Sequence, residues 1–214
     1  MSFTDRHDAG RQLAAKLKTY ADPGSVCALA LPRGGVPVAY EVAKALGISL
    51  DVLVVRKIGA PHRSELAIGA IASGGVELIS ESFVRHLRLT PDSIEAILAR
   101  ERLELDRRER AYRGSRPLLD VEGKTVLLID DGIATGASMQ VAVTALRQRR
   151  PARIVVAVPV VERRVAESLA LQADQVIAVV IPQELSAVGE WYEDFSQTSD
   201  EEVCRLLAER TESQ

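Results

Sequence analysis

Val126-Leu127-Leu128-Ile129-Asp130-Asp131-Gly132-Ile133-Ala134-Thr135-Gly136-Ala137-Ser138 is the stretch on which the reading of this 214-residue chain turns. Four aliphatic residues in a row predict a strand buried on both faces, the habit of a parallel sheet. Two carboxylates stand where that strand emerges. A loop of small residues follows and runs directly into a helical pattern. Ligands in open α/β sheets bind outside the carboxyl ends of strands, so the chemistry is expected here. Thr135 to Ser138 can offer successive backbone N–H groups and two hydroxyls at a helix N-terminus, a cradle for phosphate aided by the positive end of the helix dipole. Gly136 lets the backbone come close without a Cβ. Asp130 and Asp131 would repel a phosphate but suit sugar hydroxyls or a hydrated Mg2+. The pattern describes a site for a ribose 5-phosphate. A Walker loop does not fit, because Gly132 and Gly136 enclose three residues and no lysine follows, and a Gly-x-Gly-x-x-Gly fingerprint is absent.

Working outward, Val- and Ile-enriched runs predict strands at 26–31, 51–55, 125–129, 153–158 and 175–181. Helical periodicity covers 5–20, 38–46, 137–149 and 162–171, with Gly47 a fitting stop for the second. This alternation calls for an α/β fold, an open and mostly parallel sheet with helices on both faces. Two regions break it. Residues 58–80, with Gly59, Pro61, Gly69, Gly74 and Gly75, suggest a mobile loop or hairpin. Residues 90–113 read as one long helix with Thr90 as N-cap and Pro91 in the first turn. Its alternating charges fit a solvated face laced by i,i+4 pairs, or an oligomer contact. Beyond a core at about 20–181, residues 182–214 form a small C-terminal cap, the whole 1–214 making one domain. Trp191, Tyr192 and Phe195 are its densest aromatic cluster in a chain only 4% aromatic. Such rings can stack a base or pack the tail onto the sheet. Ser199 begins a final helix.

Composition narrows the classes. The 47% hydrophobic content is ordinary for a globular core, and the formal charge of -3 gives no general attraction to nucleic acid or an acidic membrane. No apolar run approaches the ~18 residues of a membrane span, and the first residues lack a signal-peptide pattern. Cys27 and Cys204 make neither a disulfide framework nor a zinc pattern, and Cys27 lies in an apolar run. A cytoplasmic protein is expected.

Two further loops leave strand ends. In Leu31-Pro32-Arg33-Gly34-Gly35-Val36-Pro37 the glycines permit strained or positive-φ backbone that exposes N–H groups to an anion, and Arg33 adds charge. Val54-Val55-Arg56-Lys57-Ile58-Gly59 places two adjacent cations at the end of the second strand, and His62, Arg63 and Glu65 follow.

The segment 126–138 resembles the signature of the type I phosphoribosyltransferases: a hydrophobic strand, two acidic residues and a small-residue loop with Thr-Gly and a final Ser or Thr. The resemblance implies that Asp130 and Asp131 contact the ribose 2- and 3-hydroxyls and, directly or through water, Mg2+. It implies that Ala134, Thr135, Gly136, Ala137 and Ser138 hold the 5-phosphate. Arg33, Gly34 and Gly35 would hold pyrophosphate, and Arg56 and Lys57 would neighbour it and open a flexible catalytic loop. Trp191 and Tyr192 would belong to a hood over the acceptor. The implied reaction transfers 5-phosphoribosyl from 5-phosphoribosyl 1-pyrophosphate to a nitrogenous base or other small acceptor, in a homodimer. Leu-Pro-Arg-Gly-Gly, Val-Arg-Lys-Ile-Gly-Ala-Pro and the Trp-Tyr-Glu-Asp-Phe tail are similar to a bacterial subgroup of undefined acceptor. The last strand carries no lysine for a purine carbonyl, a departure from purine-salvage members. A regulatory binder of the same ligand and a sugar-phosphate hydrolase remain alternatives.

Overall fold

The computed structural model describes residues 2–60, 63–87 and 89–212. Five parallel strands, β1 (Val26–Ala30), β2 (Ser49–Val52), β6 (Thr125–Ile129), β7 (Arg153–Val160) and β8 (Gln175–Val180), form one sheet in the order β2-β1-β6-β7-β8. The expected open parallel α/β architecture is therefore present. Side chains alternate between its faces, as a pleat requires. Ala28, Ala30, Leu127, Ile129, Val155 and Ala157 meet α1 (Arg6–Lys16), α2 (Gly35–Leu46) and α7 (Asp200–Glu212). Cys27, Leu29, Val126, Leu128, Val156 and Val158 meet α5 (Ala137–Gln148) and α6 (Arg163–Leu169). Burying each large aliphatic stabilises the fold by about 1.5–3 kcal/mol, which is how a chain poor in aromatics holds two helical layers onto one sheet.

The strand order fixes where a ligand can enter. From β1 the chain crosses through α2 to β2 on one side, and from β6 through α5 to β7 on the other. β1 and β6 are neighbours in register, Ala30 beside Ile129, so their carboxyl ends diverge side by side. That gap is the topological switch point of the sheet.

One expectation is corrected and one pair of alternatives is decided. The second parallel strand ends at Val52 rather than continuing to Val55, because Val55–Ala60 (β3) leaves to start a separate sheet. There, β3, β4 (Arg63–Ala72) and β5 (Val76–Ile79) pair antiparallel in that order. Region 58–80 is thus a twice-turned sheet in its described residues, closer to the hairpin than to the mobile loop, while Pro61 and His62 lie outside the described residues. Its tight turn uses Gly74 and Gly75, both at positive φ.

A short helix α3 (Glu81–His86) leads to α4 (Pro91–Arg113), capped by Thr90 as expected: its hydroxyl oxygen accepts from the Ser93 N–H. One face of α4 buries Leu98, Leu105 and Tyr112. The helix is fastened at its end by Arg113, whose Nε lies 3.1 Å from both carboxylate oxygens of buried Asp51 in β2. No helix in the described residues is long and apolar enough to cross a membrane.

Candidate functional site

The loops leaving β1 and β6 meet at the switch point. Asp130 and Asp131 follow β6 directly. The Asp131 N–H donates to Asp130 Oδ1 at 2.9 Å, so one carboxylate is held by the turn's own backbone. The other is held from far away: Arg6, at the start of α1, donates its Nε to Asp131 Oδ2 at 2.8 Å. Burial pushes the Asp130 carboxyl well above the usual carboxylate range, and the adjacent Asp131 charge adds to it. Asp131 is also raised by burial, against the pull of Arg6. Among the described residues Arg6 is the one cation bonded to the pair, and only through Asp131, so two crowded carboxylates suit a further positive partner or hydroxyl donors.

The loop after the pair lines a cleft of about 140 Å³ with Ala134, Thr135, Gly136, Ala137 and Ser138, and Asp130 at its edge. Gly136 is the N-cap of α5, at φ 74°, and supplies no side chain to satisfy the first helical N–H groups. A Cβ there would also come 2.7 Å from Val165 Cγ1. Thr135 and Ser138 are exposed beside those N–H groups. Ala134 to Ser138 thus line one cleft at the start of α5.

Arg33, Gly34 and Gly35 stand on the opposite lip. Neither glycine uses positive φ. Their role is space: a Cβ on Gly34 would overlap the Asp131 carboxylate, and one on Gly35 would lie 2.8 Å from the Ile129 carbonyl oxygen. The peptide bond between Pro32 and Arg33 is cis. Arg33 is about one-third exposed, and its Nη1 lies 3.8 Å from Asp200 at the start of α7.

The remaining candidates are arranged differently. On β3, Arg56 and Lys57 point to opposite sides, as neighbours on a strand do. Arg56 turns to α4 and donates to Glu101 Oε2 from Nε (2.8 Å) and Nη2 (2.6 Å), while Lys57 is exposed. Burial pushes Glu101 up, but Arg56 and Arg100 outweigh it and hold the carboxyl below its ordinary value. Tyr192 is buried between Phe3 and Phe195, ring centroids 5.3 and 5.0 Å away, and its hydroxyl donates to the Asp131 carbonyl oxygen. Trp191 keeps a partly exposed face.

Arg6 escapes a local reading of the sequence because its partner lies 125 residues away. One signal was available: an arginine opening a helix sits at the positive end of the dipole, where a cation is disfavoured without a compensating partner.

A family profile described as "Phosphoribosyl transferase domain" matches residues 4–179. The chain is 42% identical over 205 residues to "Putative phosphoribosyl transferase Rv0571c" of Mycobacterium tuberculosis, covering 96% of this chain but only 46% of that protein. It spans about half the length of that relative. Among solved structures, TT1426 from Thermus thermophilus is 43% identical, with a TM-score of 0.84 over 98% of this chain and 99% of that one. AQ2163 protein from Aquifex aeolicus, 11% identical with a TM-score of 0.52 over 86% of this chain and 78% of that one, shares the fold alone. The switch-point geometry and the extent of these matches lead to one conclusion: this chain belongs to the phosphoribosyl transferase domain family.

Proposed function

We propose that the site transfers 5-phosphoribosyl from 5-phosphoribosyl 1-pyrophosphate to a nitrogenous base or similar small acceptor, releasing pyrophosphate. The observation that carries this reading is the side-by-side arrangement of Asp130 and Asp131 with the uncapped start of α5. Backbone N–H groups of 134–138 bind the 5-phosphate, and the Thr135 and Ser138 hydroxyls add donors. Asp130 and Asp131 accept the ribose hydroxyls. Arg33 and the backbone of Gly34 and Gly35 face the pyrophosphate, with Arg56 and Lys57 further out. Positive charge develops on the ring as the C1–pyrophosphate bond breaks, and fixing the sugar at both ends aligns C1 for the incoming nitrogen. Trp191 offers the acceptor a partly exposed ring, and Tyr192 holds the cap in place.

The two carboxylates suit Mg2+: they are hard oxygen donors, short of positive charge, and too few to cage a metal without substrate oxygens. When bound, the ion would neutralise charge building on the departing pyrophosphate. A homodimer acting in the cytoplasm belongs to the same reading.

One observation favours a second reading, a regulatory binder without chemistry. Arg56 is committed to Glu101 and Arg33 leans on Asp200, so two of the three cations meant for pyrophosphate already have carboxylate partners, while Lys57 is exposed. Incubating the protein with Mg2+, 5-phosphoribosyl 1-pyrophosphate and a panel of bases separates the possibilities. Base-dependent pyrophosphate release supports the transferase. Binding without release supports the regulatory binder, and release without a base supports a hydrolase. Binding is read first as a melting shift: ligand at ~100 times its dissociation constant stabilises by about 2.7 kcal/mol, and EDTA should abolish it.

A further inference from the structure

We propose that Arg6 is a positioning residue that couples Asp131 to the C-terminal cap, so that the cap segment from Trp191 to Ser196 responds to what occupies the acidic pair. The inference rests on the proposed function for the identity of the occupant, not for the coupling itself.

Arg6 is nearly buried, with 11% of its side chain exposed, and its guanidinium is engaged along two edges and over one face. Nε donates to Asp131, Nη1 donates to the Ser196 carbonyl oxygen at 2.6 Å, and Cζ lies 4.0 Å from the Phe195 ring centroid. The planar fork of arginine suits such a bridge, since two acceptors on different segments are satisfied from one rigid group. Lysine has no equivalent plane. A second tie joins the same partners, for Tyr192 of the cap donates its hydroxyl to the Asp131 backbone.

The chain start reinforces the arrangement. The Phe3 N–H donates to the Trp191 carbonyl oxygen (2.8 Å), and the N–H groups of Glu193 and Asp194 donate to the carbonyl oxygens of Phe3 and Thr4 (2.8 and 2.9 Å). Residues 3 and 4 are thus hydrogen-bonded to the cap, and Arg6 and Tyr192 are the contacts of this unit with Asp131. Sugar hydroxyls or a hydrated cation arriving at Asp131 compete with Arg6 for carboxylate lone pairs. Whatever Arg6 yields is transmitted to Ser196 and Phe195. A ligand that binds more tightly once Arg6 has released Asp131 favours, by that difference in affinity, a cap without this tie.

Trp191 is the one tryptophan of the chain, so its emission reports the cap alone. With Mg2+ and 5-phosphoribosyl 1-pyrophosphate, the wild type should show a saturable emission change at the same midpoint as its melting shift. Arg6→Gln should lose the emission change and bind roughly tenfold more tightly, because the competitor for Asp131 is gone, the equivalent of about one hydrogen bond to a charged group. KM should fall more than kcat changes. An unchanged emission response at the wild-type midpoint would overturn the proposal. Phe195→Leu is the second variant; Phe195 is 38% exposed, so its loss is tolerated by the fold. It should retain binding with a diminished emission change, and a full response would count against the coupling. If the wild type shows no melting shift with this ligand, the functional reading fails and the coupling is tested without ligand. Arg6→Gln and Asp131→Asn should then alter Trp191 emission non-additively. Additive changes would sink the coupling on its own terms.

Discussion

Replacing Gly34 by alanine sets two physical effects against each other, and the structure says which wins. The backbone at Gly34, φ -60° and ψ -32°, is ordinary right-handed helical geometry. On conformational grounds alone, alanine should stabilise the protein by about 0.4–1 kcal/mol through the unfolded chain. Space decides otherwise. The new Cβ would overlap the Asp131 carboxylate oxygen, lie 2.7 Å from its Cγ and reach 3.3 Å from Arg6 Nε. Asp131 cannot stay, so overpacking costs about 1–3 kcal/mol, and loss of the charged hydrogen bond from Arg6 costs about 1.5–3 kcal/mol more. The net expectation is a loss of roughly 2–5 kcal/mol, which for a chain of this length lowers Tm by roughly 4–20 °C. Differential scanning calorimetry reads this directly. Gly24→Ala is the control, because its Cβ would meet one atom, at an ordinary 3.5 Å. A Gly34→Ala protein as stable as the wild type, with unaltered ligand affinity, would refute the close approach of the two lips of the site.

Breaking the buried pair between Arg113 and Asp51 with Arg113→Met should cost about 3–5 kcal/mol, or roughly 6–20 °C in Tm, because Asp51 is left charged in the interior; an unchanged Tm would mean the pair carries no weight. Glu101→Gln should cost ~1.5–3 kcal/mol near neutral pH by urea titration. Because the folded protein holds the Glu101 carboxyl below its ordinary value, that contribution is full above the unfolded pKa and fades as pH falls through the folded one. The gap between the two proteins should therefore close in acid, and a gap constant with pH would show that charge is not its source. Asp131→Asn should impair pyrophosphate release with the circular dichroism of the wild type, and unchanged kinetics would remove Asp131 from the site.

What the sequence revealed and what it hid divide along chain distance. The run from Val126 to Ser138 carries strand, carboxylates, glycine turn and helix start in one window, and each is decided by neighbours a few residues away. Thr90 and Pro91 foretold the start of α4 for the same reason. Arg56 was legible as a cation at a strand end, but not its commitment to Glu101, 45 residues on. Asp51 lay in an apolar strand with nothing nearby to announce Arg113, 62 residues later. Gly34 and Gly35 were marked as special by their lack of side chains, yet the reason lay in the approach of Asp130 and Asp131 from another strand rather than in φ. For β3 to β5 the glycines left mobile loop and hairpin both open, and what Gly69 is for emerges only in the fold, where it is pressed beneath the Leu78 carbonyl.

The pairing of Val26 with Thr125 across the centre of the sheet bears on how the protein comes into being. Contacts so remote in sequence close only after a large loop of chain has been gathered, which slows folding relative to helical bundles of equal size. The pocket asks for still more, since Arg6 must find Ser196, 190 residues downstream. During synthesis residues 3–6 wait for these partners until residues 191–196 have emerged. A nascent chain halted before residue 190 can therefore assemble most of its sheet while its acidic pair still stands open to solvent.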